Sequence, residues 1–534
     1  MKFEANNISY AETGYYSDIV LDYLEGAEAL KPFYKYVPVD EELHKVIESR
    51  CRYNTDRILL FEALTGQYEQ VEPHQAVKNN IELLKAPTTF TITTAHQPNI
   101  FTGPLYFIYK ILHAIKLSEH CKQKFSQYDF VPVYYMGSED ADIDELGHVF
   151  LDNEKLEWAT KQTGAVGRMV VDEALLQLIS RMTGEVNILP YGEEITGALR
   201  QFYRKGTTIQ NATLDFVNHI FGKYGLIVLI PDHSRLKAAA ADIFREELFH
   251  QRSSAIVAET AEHLVANGYK PQARGRDINL FYLDDHIRSR IERAGDCWKV
   301  ADTEIIFTKE QLLGELEVHP ERFSPNVILR GLFQEMILPN IIFIGGGGEL
   351  AYWLELKNIF DHYAVPYPML VLRNSFLLIN RQQTQRIKKL GYTVKDIFLP
   401  LKTLQDKWIG SHSGNNITVD QTLKEMTRIY ETLTTQARNI DGTLTDHVAS
   451  LKKQAGKKIA ELGKKFLRAE KRNHQTAMQQ IEKIKRQLFP FHNLQERIDN
   501  IVPFYARWGG QLLEHLYSHS YALEQYFVVF SEVP

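Results

Sequence analysis

A chain of 534 residues is too long for one hydrophobic core, so roughly two to four domains are expected. Its hydrophobic share of 44% and charged share of 24% are those of an ordinary globular protein, not of a disordered or fibrous one. A formal net charge of −6 argues against a wholly basic nucleic-acid binder and leaves local patches open.

The first residues, M-K-F-E-A-N-N-I-S-Y, lack the apolar stretch of a secretory leader, and no apolar run approaches the ~18–20 residues of a membrane helix. A cytoplasmic protein is expected. The three cysteines, Cys51, Cys121 and Cys297, are odd in number and widely spaced, with no C-x-x-C pair. They read as reduced thiols, not as a disulfide framework or a cysteine-rich zinc site.

In chain order, the first 85 residues read mostly as helix, with Leu43, Val46, Ile47, Ile58 and Leu59 at helical spacing. Strands are predicted at 88–94, 129–136, 225–230, 340–344 and Met369–Leu372, with helical patterns between them. Near-continuous apolar strands alternating with helices indicate an α/β fold whose parallel sheet is covered on both faces. The first strand runs into Ala95-His96-Gln97-Pro98-Asn99, and Gly103-Pro104 is expected to open the next helix. Strand, polar loop and helix start place free backbone N–H groups beside the loop side chains, where open α/β sheets bind ligands.

Residues 151–217 are more polar, and 246–325 combine a helix with strand-like pieces at Ile278–Leu283 and Glu304–Thr308. Both read as insertions that leave the sheet and return to it. From about 418, apolar residues fall at steps of three and four through Leu423, Met426, Tyr430, Leu433, Ala437 and Ile440. Asp441-Gly442 marks a turn, and a second run goes from Leu444 to Leu488. This predicts an antiparallel coiled-coil pair, with 443–488 as one helix of ~69 Å. That helix carries twelve Lys/Arg and four Asp/Glu. Its basic face suits nucleic acid or an acidic membrane, but base-stacking aromatics are missing, which favours a solvated face or a dimer arm.

Four groups could carry chemistry. The first is His96-Gln97 with Gly103-Pro104 and Lys110. The second is S-E-D-A-D-I-D-E at 138–145, whose acids at a strand end need cations, a metal or substrate ammonium groups, unless they only serve a helix start. The third is G-G-G-G-E-L-A-Y-W at 345–353: glycines admit an anion to backbone N–H groups, and Glu349 and Tyr352 share a helix face. It is neither a Walker loop nor a dinucleotide fingerprint, and a tight helix–sheet junction explains it equally well. The fourth is Arg373-Asn374-Ser375, with Arg330 a similar case; arginines there suit a carboxylate or phosphate, or a surface ion pair.

Together H-Q-P-N-I-F-T-G-P-L-Y-F-I-Y-K (96–110), S-E-D-A-D (138–142), S-P-N-V-I-L-R (324–330), G-G-G-G-E-L-A-Y-W-L-E-L-K (345–357), V-P-Y-P-M-L-V-L-R-N-S (365–375), R-A-E-K-R (468–472) and L-Q-E-R (494–497) resemble the BshC family of bacillithiol biosynthesis. The resemblance implies a Rossmann-like parallel-sheet core related to class I synthetases and nucleotidyltransferases, two connective insertions and a helical antiparallel coiled-coil arm used for homodimerisation. The corresponding division is 1–150, 218–245 and 326–390 for the core, 151–217 and 246–325 for the insertions, 391–510 for the helical domain and 511–534 for a segment packing back on the body. The implied reaction adds cysteine to the amine of glucosaminyl-malate to form bacillithiol. Neither class I signature stands in its usual letters, and Ala141 replaces the histidine of the family's E-D-H-D.

On this reading the catalytic candidates are His96, Glu139, Asp140 and Asp142, which bind the two amines and take a proton. Substrate-binding candidates are Gln97, Gly103, Pro104, Ser138, Arg330, Gly346, Glu349, Tyr352, Arg373 and Ser375. The resemblance also implies ATP or ADP where the arm meets the body, with Gln495, Arg497 and Trp508 as candidates beside a purely structural joint. No zinc or other metal is expected. The alternatives are a non-catalytic or RNA-binding coiled-coil relative of class I synthetases, and a ligase for another amino acid and amine.

Overall fold

Thr89–His96 (β1), Asp129–Met136 (β2), Ile227–Leu229 (β3), Asn340–Gly345 (β4) and Met369–Leu372 (β5) form one parallel sheet in the order β5-β4-β1-β2-β3. The computed structural model describes residues 2–414 and 418–533. All eight residues of β1 are buried, as a central strand covered on both faces requires. The chain lays down β1, β2 and β3 in one direction, then adds β4 and β5 on the other side of β1. The sheet's switch point therefore lies between β1 and β4, and a crevice opens at their carboxyl ends. β1 and β2 run in register to the pair His96–Met136, so the segment after β2 emerges beside His96. Gly137 N–H donates to the His96 carbonyl at 2.8 Å.

A three-stranded sheet joins the two ends of the chain. Phe3–Ile8 pairs antiparallel with Phe527–Glu532, which pairs in parallel with Ser375–Ile379. This corrects the mostly helical reading of the first residues: F-E-A-N-N-I has little apolar alternation, and its partner is about 500 residues away in sequence. Ser375 follows β5 after only Arg373 and Asn374, so Arg373 stands at the joint between the sheets.

In the first insertion, whose last helix runs past the expected boundary at 217, Glu173–Val186, Gly192–Phe202 and Ile209–Phe221 share a separate core that includes Leu175, Ile179, Leu199 and Phe216. Val502 and Ala506, from the chain's last part, complete it. Within 246–325, Leu280–Asp284, Ile287–Ala294, Cys297–Val300 and Ile306–Phe307, with Phe323–Pro325, make a five-stranded antiparallel sheet. Ile287–Ala294, I-R-S-R-I-E-R-A, is hidden from sequence periodicity because only Ile291 on it is buried.

Asp420–Ile440 and Leu444–Asn473 form the antiparallel arm around Asp441-Gly442. The single helix expected over 443–488 is broken at His474, where φ is −107° and ψ 34°. The break lets Gln475–Leu488 turn its apolar face, Met478, Ile481, Ile484 and Leu488, onto the body. The projecting helix of 30 residues is therefore about 45 Å long.

The loop after β1 also departs from expectation. Gly103-Pro104 does not open the helix, which runs Tyr106–Lys124. Ile100–Thr102 forms a tight turn with Phe101 at φ 51° and Thr102 at φ 71°. Gly103 follows at φ 62°, where a Cβ would lie 2.7 Å from that of Asn99, so only glycine fits without a shift. Leu105 N–H then donates to the Asp499 carbonyl at 2.8 Å, and Asn500 Nδ2 donates to the Phe101 and Gly103 carbonyls. No helix among the described residues is long and apolar enough to cross a membrane.

Candidate active site

A cavity of about 410 Å³ opens at the carboxyl ends of β1, β2, β4 and β5. β1 supplies Ala95, His96 and Gln97; the turn after β2 supplies Gly137, Glu139 and Asp140, with Glu145 a little further on. Gly346, Gly347 and Gly348 follow β4, and Arg373 follows β5. Arg330 comes from the helix Val327–Ile337, Arg288 from the second insertion, and Arg497 from the junction beyond the arm.

The β4–β5 side is cationic. Arg330 Nη2 donates to Tyr352 Oη at 2.5 Å, while its Nη1 is buried without a protein partner. Arg373 Nη2 donates to Glu496 Oε1 at 2.7 Å, and Nη1 donates to Ser375 Oγ at 3.0 Å. Its Nε is buried and unpartnered beside Gly346. The helix Gly347–His362 begins there, and its first-turn N–H groups have no intrahelical acceptors. Glu349 accepts from Gly346 N–H at 2.8 Å and forms an ion pair with buried Lys110. Lys110 Nζ also donates to the Ala95 carbonyl at 2.8 Å, and burial pulls its pKa below the usual lysine value.

The β2 side is acidic. Gln97 Nε2 donates to Asp140 Oδ2 at 3.3 Å and the Asp142 N–H to Oδ1 at 3.3 Å; the carboxylate faces the cavity, where Arg288 is the cation that answers its charge without a direct ion pair. Burial, and then the Asp140 and Asp142 charges, raise the pKa of Glu145. His96 lies between the two sides. Burial, then Lys110, Arg373 and Arg330, hold it well below its usual range, so the ring is neutral at physiological pH. Its Nε2 is buried and meets no protein partner.

The structure thus brings His96, Gln97, Glu139, Asp140, Arg330, Gly346, Glu349, Tyr352, Arg373 and Arg497 into one cavity. Other candidates stand apart from it. Asp142 caps the turn Ile143–Leu146, accepting from Glu145 N–H at 3.1 Å. Ser138 is fully buried beneath Gly167, whose N–H donates to its carbonyl at 2.9 Å. Gly103 and Pro104 shape the loop, and Ser375 positions Arg373. Gln495 bridges the Leu378 N–H and carbonyl, and Trp508 packs edge-on against Phe3 in the core, so neither joins Arg497 at the cavity. Glu139 lines the cavity but is buried in an ion pair with Lys237 and accepts from Ser324 Oγ at 3.2 Å, so it is not free to bind an ammonium group.

Sequence reasoning did not put forward Glu145, Lys237 or Glu496 as site residues. Glu145 stands in the acidic run, so that run carried a signal. Glu496 stands in the L-Q-E-R stretch, where only its neighbours Gln495 and Arg497 were put forward; Lys237 answers a charge on a distant segment, and no local pattern marks it.

A family model described as "Bacillithiol biosynthesis BshC, N-terminal Rossmann-like domain" matches residues 3–374, and one for the BshC C-terminal coiled-coil domain matches 376–532. A relative from Flavobacterium johnsoniae, named "Putative cysteine ligase BshC", is 38% identical over 526 residues, 97% of this chain and 98% of its own. Relatives of the same name from Flavobacterium psychrophilum and Christiangramia forsetii are each 36% identical, over 98% of this chain and 98% of theirs. Rossmann-like core, coiled-coil arm and end-to-end similarity agree: the chain belongs to the BshC family of bacillithiol biosynthesis.

Proposed function

We propose that this chain joins the carboxyl group of cysteine to the amine of glucosaminyl-malate, forming the amide bond of bacillithiol. The ligase name of its relatives supports the reaction class. The observation that carries the reading is a single cavity with two poles: unpaired Arg330 and Arg373 donors beside a helix start on the β4–β5 side, and Asp140 with Glu145 on the β2 side. A zwitterion with carboxylate and ammonium groups matches that polarity.

On this reading Arg330, Arg373 and the Gly347–Gly348 N–H groups hold carboxylate oxygens. Asp140 and Glu145 hold the amines. The attacking amine is an ammonium ion at neutral pH and must lose a proton before its nitrogen attacks the carboxyl carbon. Glu145, with its raised pKa, is a better proton acceptor than an ordinary carboxylate. His96, neutral with a free Nε2, positions a substrate group by hydrogen bonding. As the C–N bond forms, a carboxylate oxygen must leave, and a nucleoside triphosphate supplies that activation when bound. The glycine turn and the unpaired arginine donors fit phosphate oxygens as well as a carboxylate.

The arm is proposed to pair two copies of the chain. Leu433, Leu451, Leu462 and Phe466 lie along it and are each 40–45% exposed, which leaves an apolar seam for a partner.

Metabolites test the reaction. A strain lacking this gene is expected to lose bacillithiol and accumulate glucosaminyl-malate. The wild-type gene should restore the thiol, and Asp140→Asn should not. Unchanged bacillithiol in the deletion strain would rule the reaction out.

A further inference from the structure

A second cavity, of about 610 Å³, lies across the strand end Ile230–His233 from the first: Pro231 lines the first, and Asp232 and His233 line the second. Its other walls are the end of the helix Arg57–Gln67, the turn at 204–208 and the first turns of Ile209–Phe221. Nothing in the proposed ligase reaction uses it.

The chemistry of its lining is distinct. Asp232 is already neutralised, because Arg168 donates to both its oxygens at 2.7 and 2.8 Å. Arg204 and Asp215 contribute one charge of each sign; burial raises the pKa of Asp215, and Arg204 opposes that shift. With Asp232 paired to Arg168 and one charge of each sign from Arg204 and Asp215, the lining offers an ionic ligand no net counter-charge. What remains is neutral hydrogen-bonding capacity: Gln70, Thr207, Gln210 and Asn211. Gln210 Oε1 and His233 Nδ1 are buried and unpartnered within the protein, and such groups are costly to leave unsatisfied. Leu214 and Leu236, both buried, form the floor behind these polar groups.

We infer that this second cavity binds a neutral, polyhydroxylated ring of the pyranose class, with hydroxyls meeting the amide and hydroxyl side chains. A ring of this kind both donates and accepts hydrogen bonds, which mixed amide and hydroxyl walls can match. The volume lies in the range of small-molecule sites, about 300–1,000 Å³. The inference does not rest on the proposed ligase reaction.

The test is a saturation-transfer NMR titration of the full chain with methyl α-D-glucopyranoside. Saturable binding is expected, weakened at least about tenfold by Asn211→Leu and by Gln70→Leu. Both side chains are exposed, so these variants fold. Binding should persist in Asp140→Asn and Arg330→Lys, whose residues line the other cavity. Three results would overturn the inference: no saturable binding to the wild type, binding unaffected by both leucine variants, or binding lost in Arg330→Lys instead. Displacement of the glucoside by inorganic phosphate would reveal an anion site and overturn it too.

Discussion

His96 is buried among Lys110, Arg373 and Arg330, and this setting keeps its ring neutral. His113 is pushed down to about 4, first by burial; it accepts from Asn374 N–H at 3.1 Å and donates to the Ala522 carbonyl at 2.7 Å. Both rings bind a proton more readily in the unfolded chain. Their contribution is complete above the unfolded value of about 6.5 and is lost as the pH falls below it, for His113 through about 4. For His113 that loss is about 3 kcal/mol by pH 4. Urea unfolding between pH 7 and 5 should show falling stability, with a shallower slope in His113→Gln. Asp140→Asn is expected to lower kcat/KM for cysteine by about 10–100-fold with an unchanged Tm, because it removes one charge-assisted contact. Glu139→Gln should behave differently: it strands Lys237 in the interior and costs about 3–5 kcal/mol in urea unfolding. The residues that face the cavity were legible in the sequence where they sit in polar turns after apolar strands, as His96, Asp140 and Arg373 do. Their partners were not. Lys237 is 98 residues from Glu139 and Glu496 is 123 from Arg373, so only the folded topology pairs them.

Strands with continuous apolar runs were legible as elements, and Met369–Leu372 matches its expected bounds. The solvated strands of the second insertion were not, because side chains such as Arg290 and Glu292 leave no burial pattern to read. The helix break at His474 was not read from the sequence, although E-K-R-N-H-Q-T at 470–476 interrupts the apolar spacing there; the spacing resumes at Ala477, where the surface being covered changes from the arm to the body. Contact between elements gives a sharp test at Gly167. A Cβ there would lie 2.5 Å from the Ser138 carbonyl oxygen. Gly167→Ala should push the first insertion away from the turn after β2, at a cost of about 1–3 kcal/mol in thermal or urea unfolding. For the arm, Leu451→Lys with Phe466→Lys places charges on the half-exposed seam. On the proposed pairing of two arms, sedimentation should report a dimer for the wild type and a monomer for this variant.

At the scale of the molecule, the cavity is an assembly of segments far apart in sequence. The core supplies strand ends and the glycine turn, the second insertion supplies Arg288, and the junction beyond the arm supplies Arg497. The first insertion holds the turn after β2 from below through Gly167. Strand pairing of Phe3–Ile8 with Phe527–Glu532 ties the two chain ends beside the strand that follows Arg373. This convergence explains why single motifs were weak signals and their combination was specific. The two-pole reading of the cavity is tested most directly by calorimetric titration of the wild-type chain with cysteine, cysteamine, which lacks the carboxylate, and 3-mercaptopropionate, which lacks the amine. Cysteine should bind at least about tenfold more tightly than either analogue, with Arg330→Lys erasing its advantage over cysteamine and Asp140→Asn its advantage over mercaptopropionate. Equal affinity for all three compounds would contradict a site built for a zwitterion.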